Sequence, residues 1–261
     1  MANNDSIKKT ITVTLLLCIV CSVVVSTAAV MLKPAQVANK SLDFKRNILL
    51  ASGLLEDAAS AREIESIFAE RITTRVVDLS TGKFTDAVDP TAYDQAKAAK
   101  DPSLSQALSK DEDLAKISRR ENYSVVYLVK DGDKLSRVVL PIKGYGLWST
   151  LYGFLALEAD AKTVVGLGFY QHSETPGLGG EVDNPRWKAQ WKGKQVYDAQ
   201  GHVAIRLLKG AVDPSSPDAK HQVDGLSGAT LTSRGVDNLL HFWLGEKGYK
   251  PFLDNLLKGE A

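Results

Sequence analysis

Cysteine is scarce in this chain and missing from most of its length. Cys18 and Cys21 are the only two among 261 residues. Both fall in one apolar stretch, so the long remainder can form no disulfide and must be held by a hydrophobic core. The Cys-x-x-Cys spacing puts the two thiols on one helix face, where they read as packing residues. No charge of either sign dominates: 32 Lys and Arg against 31 Asp and Glu leave a formal net charge of +1. That balance excludes the electrostatic footprint of a nucleic-acid binder. Histidine is sparse as well. His172, His202, His221 and His241 stand far apart and form neither a His-x3-His nor a His-Glu-x-x-His pattern, so no metal centre is expected. A triple-glycine dinucleotide fingerprint is also missing, since Gly166-Leu167-Gly168 lacks the third glycine.

What the chain does have begins with Ile11 to Leu32, a run without a charged residue. About 20 apolar residues cross a bilayer core, whereas the apolar part of a cleavable signal peptide has about 7 to 15. The run is therefore read as one uncleaved transmembrane helix over 11–32, although Ser26-Thr27-Ala28 offers the small residues a signal peptidase accepts. Lys8 and Lys9 precede it and Lys33, Lys40, Lys45 and Arg46 follow it, so charge counting does not favour an inside N-terminus. Residues 33–120 read as a mostly helical membrane-proximal segment with Leu49, Leu50, Leu54, Ile64, Ile67 and Phe68 as its apolar positions. Asp89-Pro90 and Asp101-Pro102 punctuate it. From 121 to 261 the pattern is α+β. Tyr123 to Val129 and Leu135 to Leu140 flank a turn at Asp131-Gly132-Asp133. Further strands are expected at Phe154 to Glu158, Val164 to Tyr170 and Val203 to Leu208, with helices at Pro185 to Trp191 and Ser233 to Gly245.

The segment Asp224-Gly225-Leu226-Ser227-Gly228-Ala229-Thr230 is nearly free of bulk around a threonine hydroxyl. A large planar ligand could approach its backbone closely. Val236, Leu239, Leu240 and Trp243 then recur at helical spacing, so a helix starts near Thr230. Its first N–H groups lack intrahelical partners and its dipole is positive there, which stabilises a phosphate. On these grounds alone, a small-residue turn that merely caps a helix is the plainer reading of the stretch.

Two more stretches carry the same kind of signal. In His172-Ser173-Glu174-Thr175-Pro176-Gly177-Leu178-Gly179, a proline-glycine turn opens backbone N–H groups to a ligand and Thr175 adds a hydroxyl. In Lys143-Gly144-Tyr145-Gly146-Leu147-Trp148-Ser149, aromatics alternate with glycines. Tyr145, Trp148 and Tyr170 are candidates for stacking on a flat ring, Arg186 and Lys188 for pairing with its charge, and Glu174 for setting its potential.

Asp224-x-x-Ser227-Gly228-Ala229-Thr230 matches the covalent-FMN signature D-x-x-[ST]-G-A-[ST] without a departure, and His172 to Gly179 is similar to the H-x-E-T-P-G-L-G stretch of flavin subunits in membrane redox complexes. The chain resembles the covalent FMN-binding subunit of the sodium-pumping NADH:quinone reductases that carries a single N-terminal span. The resemblance implies FMN joined through its phosphate to the Thr230 hydroxyl by a flavin transferase that uses FAD. It also implies contacts from Ser227, Gly228, Ala229, Glu174, Thr175, Gly177, Leu178, Leu147 and Trp148. It further implies electron relay, one electron at a time, among the other subunits of the complex toward quinone. Residues 1–10 would be cytoplasmic and the flavin domain periplasmic, on a bacterial inner membrane. The related flavin subunit of the ferredoxin-linked Rnf complex shares the single span and the covalent threonine flavin. Gly225-Leu226-Ser227-Gly228-Ala229 also approaches a serine-hydrolase elbow, with Ala229 in place of its last glycine. A membrane-anchored binding module that never receives flavin is a further alternative.

Overall fold

The computed structural model describes residues 6–55, 59–132 and 134–261. The chain divides into two compact units, Met1–Asp43 and Phe44–Ala261. The first holds the helix α1, Ile7–Ala51, as far as Asp43; the apolar stretch of α1 is long and hydrophobic enough to cross a membrane and is solvent-exposed throughout. Pro34 lies inside α1, where its ring removes one backbone donor. The expected turn residue Asp133 and residues 1–5 of the expected cytoplasmic segment lie outside the described residues.

The second unit is organised on a six-stranded antiparallel sheet. In chain order its elements are α2 (Ala61–Arg71), β1 (Ile72–Asp78), β2 (Lys83–Phe84), α3 (Gln95–Ala98), β3 (Ser105–Ala107), β4 (Arg119–Glu121), β5 (Tyr123–Asp131) and β6 (Lys134–Tyr145). They continue with β7 (Thr150–Glu158), β8 (Val164–Gln171), α4 (Pro185–Ala189), β9 (Arg206–Leu207), β10 (Gln222–Val223), α5 (Thr230–Trp243) and α6 (Lys250–Lys258). The main sheet runs β2-β1-β5-β6-β7-β8, with β9 and β10 in a parallel pair and β3 and β4 in an antiparallel one.

Both faces of the sheet are covered, so its central strands read as continuous apolar runs rather than as alternations. Successive residues of β5 go to opposite sides: Val126 and Leu128 join one cluster with Val138, Leu140 and Leu155, while Val125, Tyr127 and Val129 join a second with Val139 and Phe154. The first cluster is closed by α5 and α6 through Val236, Leu239, Leu240, Trp243 and Phe252. The second is closed by the last turns of α1, through Phe44, Ile48 and Ala51, and by Phe68 of α2.

The helix expected from Val236, Leu239, Leu240 and Trp243 is α5, and it begins at Thr230, three residues before the expected Ser233. The segment 33–120 departs from its helical expectation. It supplies α2 and the short α3, but Ile72–Asp78 is a strand paired along its whole length with β5, and the compact unit starts at Phe44 rather than at 121. The β-branched Ile72, Thr73, Thr74, Val76 and Val77 prefer this pleated setting. The strand expected over Val203 to Leu208 narrows to Arg206–Leu207, because Val203 instead bridges back to Tyr197.

Candidate functional site

The three glycine-rich stretches, far apart in sequence, meet at the N-terminus of α5. Gly235 allows the approach. A Cβ there would stand 2.5 Å from the Tyr145 carbonyl oxygen and 2.9 Å from the Gly146 Cα, so α5 packs directly on the β6–β7 turn. Trp243 Nε1 donates to the Lys143 carbonyl at 2.7 Å and fixes the other end of that contact. The turn itself is closed by Gly146 N–H donating to the Ser149 carbonyl at 2.8 Å.

The Asp224–Thr230 turn is built from both sides. The Asp224 carboxylate accepts from the Val212 N–H at 2.7 Å and from Gln190 Nε2 at 3.0 Å, its own N–H donates to Gln190 Oε1 at 3.1 Å, and its carbonyl accepts from Trp187 Nε1 at 2.9 Å. Leu226 is buried, and its N–H donates to Ser233 Oγ at 2.9 Å, which in turn donates to the Ala229 carbonyl. Gly228 has φ +70°, a left-handed conformation that glycine adopts without steric cost. A Cβ on it would meet the Leu178 side chain at 3.0 Å, so the Thr175–Gly180 turn lies against the signature.

Ala229 occupies the N-cap of α5 and its methyl group offers no capping oxygen. The first intrahelical bond of α5 is from Ser233 N–H to the Ala229 carbonyl, so the N–H groups of Thr230, Leu231 and Thr232 precede the hydrogen-bonded ladder. Thr230 is exposed at this open, electropositive end. Around it, Tyr145, Trp148, Thr175, Gly177, Leu178, Ser227 and Gly228 are exposed, Leu147 is half-buried and Ala229 is buried. Trp148 is 66% exposed and Leu178 44%, and Leu178 lies against Gly228 of the signature. Exposed hydroxyl, open helix end and glycine-lined rim fit a phosphorylated planar group.

Glu174 differs from its neighbours in being 5% exposed. Its carboxylate accepts from the N–H groups of Leu147 (3.1 Å), Trp148 (3.0 Å) and Ser149 (3.3 Å) and from the Thr232 hydroxyl (2.7 Å). Burial pushes this carboxyl upward, but the Thr232 hydroxyl and the Trp148, Leu147 and Ser149 amides outweigh it and hold Glu174 below the usual carboxylate range. The preceding His172 accepts the Glu174 N–H on Nδ1 at 3.1 Å and sits 2.8 Å from Asp183 through Nε2.

Residues 146–245 match the FMN-binding domain family. The NqrC component of the Na(+)-translocating NADH-quinone reductase of Pseudomonas aeruginosa is 60% identical over the full length of both chains. Its counterpart in Yersinia pestis is 50% identical over 98% of this chain and 96% of its own. The chain belongs to the NqrC family of Na(+)-translocating NADH-quinone reductase subunits. A crystal structure of NqrC from Shewanella oneidensis superposes with a TM-score of 0.76 at 39% identity, over 84% of this chain and 98% of that one. The corresponding crystal structure from Parabacteroides distasonis gives 0.65 at 28% identity, over 85% and 96%. This family membership decides against the Rnf subunit, and the N-terminal apolar helix fits a membrane anchor in such a complex.

Within the NqrC fold, the reading of Tyr170 as a ring contact needs revision. Tyr170 is not brought to the site: its ring stacks on Phe154 at 5.1 Å in the cluster on the opposite face of the sheet. The parity of β8 decides this, since Leu167 and Phe169 face the α5 side. Arg186 and Lys188 stand on α4, whose Trp187 and following Gln190 hold Asp224. The hydrolase arrangement is not assembled either. Among the described residues the ring nitrogens of His172, His202, His221 and His241 face Asp183, Asp198, the Gln195 carbonyl and Asp237, and Ser227 has no such base. Sequence reasoning missed Thr232, Ser233 and Gln190. Thr232 and Ser233 lie just beyond the signature, outside all three glycine-rich stretches, and no sequence signal marks Gln190.

Proposed function

We propose that the chain is the electron-relay subunit of a Na(+)-translocating NADH-quinone reductase, carrying FMN as a phosphoester on Thr230. The observation that carries this reading is the convergence of three separate glycine-rich turns on one exposed threonine at an uncapped helix end. The N–H groups of Thr230 and Leu231, exposed and ahead of the hydrogen-bonded ladder, suit the phosphate. Trp148, Leu178 and Leu147 supply apolar surface for the ring, and Tyr145 adds an aromatic edge. Ser227, Gly228, Ala229, Thr175 and Gly177 line the approach with small groups and backbone. Bound there, FMN supplies single-electron transfer between neighbouring subunits. A flavin transferase drawing on FAD is the partner that installs it. Residues 1–10 are placed in the cytoplasm and the globular unit in the periplasm of a bacterial inner membrane.

The test is co-expression of the full chain with its flavin transferase, followed by ultraviolet illumination of a denaturing gel. The wild type is expected to fluoresce and Thr230→Ala to be dark at equal protein. A dark wild-type band would remove the covalent assignment and favour a module without flavin.

A further inference from the structure

One buried carboxylate joins the loops that meet around Thr230. Glu174 sits where it cannot present a surface to a flat ligand, because it is 5% exposed and both its oxygens are engaged by the protein. Space around it is reserved on both sides. A Cβ on Gly146 would lie 2.6 Å from Glu174 Oε1, and one on Gly179 would lie 2.8 Å from Oε2 and 2.5 Å from the Thr232 hydroxyl. The glycines of the Tyr145–Ser149 and Thr175–Gly179 stretches thus make room for this carboxylate as well as for a ligand. Three backbone donors at Leu147, Trp148 and Ser149 need an acceptor that is anionic or many-sided. All three amides donate to Oε1, so glutamine can keep its carbonyl there, but it sets an N–H2 in place of the second acceptor against the Thr232 hydroxyl and the Leu147 N–H.

The geometry points to Glu174 and Thr232 as a positioning clamp: through them the Trp148 turn is locked to the first turn of α5, fixing the slot in which a ring attached at Thr230 is held. This rests on the reading of Thr230 as the attachment point, and it divides the site into two separable parts. Attachment depends on the Asp224–Thr230 turn, whose supports are Gln190, Trp187 and Ser233. Immobilisation of the ring depends on the clamp. Without it the flavin remains joined by its phosphate but swings on the ribityl chain, exposed to solvent and displaced from its electron partners.

The experiment uses the full chain in detergent, co-expressed with its flavin transferase, as wild type, Glu174→Gln, Thr232→Val and Thr232→Ser. Covalent fluorescence on a denaturing gel is expected within about twofold of wild type in every variant. In the native state, Glu174→Gln and Thr232→Val are expected to lower flavin anisotropy and to raise iodide quenching about threefold, and to speed exchange of the Leu147, Trp148 and Ser149 amides about tenfold. Thr232→Ser, which keeps the hydroxyl, is expected to behave as wild type. Unchanged quenching and exchange in both clamp variants would overturn the proposal, as would a Thr232→Ser protein as loose as Thr232→Val. A dark wild-type gel counts against attachment at Thr230 alone, and amide exchange then still tests the clamp.

Discussion

The two faces of the sheet are held together by different means. On the side of Phe44, Tyr127, Phe154 and Tyr170, aromatic rings meet edge-on or stacked at 5.0 to 6.1 Å, and the stability is that of buried apolar area. On the side of α5, glycines let backbone meet backbone, and polar groups such as Asp224, Glu174, Thr232 and Ser233 join one loop to the next. The first arrangement depends on matched volume and shape rather than on polar partners. The second fixes positions closely and leaves the Thr230 hydroxyl exposed among them. On the proposed function, in which Thr230 takes the flavin, the site gains from standing on the more closely fixed second face.

The sharpest way to break this comparison is to separate function from stability. Thr230→Ala is expected to abolish covalent flavin while leaving the thermal midpoint of the flavin-free protein unchanged, since Thr230 is exposed. Phe154→Ala is expected to do the reverse. Phe154 is 0% exposed at the centre of the aromatic cluster, and its truncation should cost about 3 to 5 kcal/mol. Molecules that still fold should accept flavin normally. Denaturant midpoints beside gel fluorescence read both arms, and an unflavinylated Phe154→Ala protein that is demonstrably folded would contradict the separation.

A comparable loss is expected at the second buried acid. Glu121, 1% exposed, pairs with Lys143 Nζ at 2.6 Å and accepts from Gln95 Nε2 at 2.9 Å. Here a full charge, rather than amide dipoles, answers the carboxylate. Glu121→Ala leaves the Lys143 ammonium buried without its partner and should cost about 3 to 5 kcal/mol. Adding Lys143→Met is expected to recover most of it, because the uncompensated charge is then gone. Equilibrium unfolding of the single and double variants gives the answer, and a double variant no more stable than Glu121→Ala would show that packing, not charge, sets the loss.

How much of the molecule is legible in its sequence follows from the range of each interaction. The α5 face, with Val236, Leu239, Leu240 and Trp243, can be read because it repeats within one helix. The signature turn can be read because the left-handed Gly228 and the small neighbours of Thr230 impose themselves locally. The strand β1 cannot, because its partner β5 lies far along the chain and nothing in Ile72–Asp78 names it. Tyr170 is misplaced because nothing within β8 itself says which face meets α5, and Leu167 and Phe169 take that face. The burial of Glu174 is invisible for the same reason as the Glu121–Lys143 pair: a carboxylate is recorded in sequence, whereas its four donors belong to two other segments.

The smallest effect refines the contrast by acidity. A carboxyl held below its ordinary value in the folded state adds stability that is complete above the unfolded value, near ~4.3, and disappears as pH falls through the folded one. Glu174 is such a group. Other lowered acids, such as Asp89 and Asp160, are shared by wild type and Glu174→Gln, so the difference between the two proteins isolates this clamp. That difference is expected to be constant from about pH 7 to pH 5 and to shrink toward zero below the ordinary glutamate value, as wild type loses an advantage the glutamine never had. Phe154→Ala, which alters no titrating group, should instead run parallel to wild type across the same range. Urea midpoints taken at half-unit steps of pH separate the two outcomes, and a wild-type advantage over Glu174→Gln that persists undiminished at about pH 3 would mean that the shape of the glutamate, not its charge, holds the loops together.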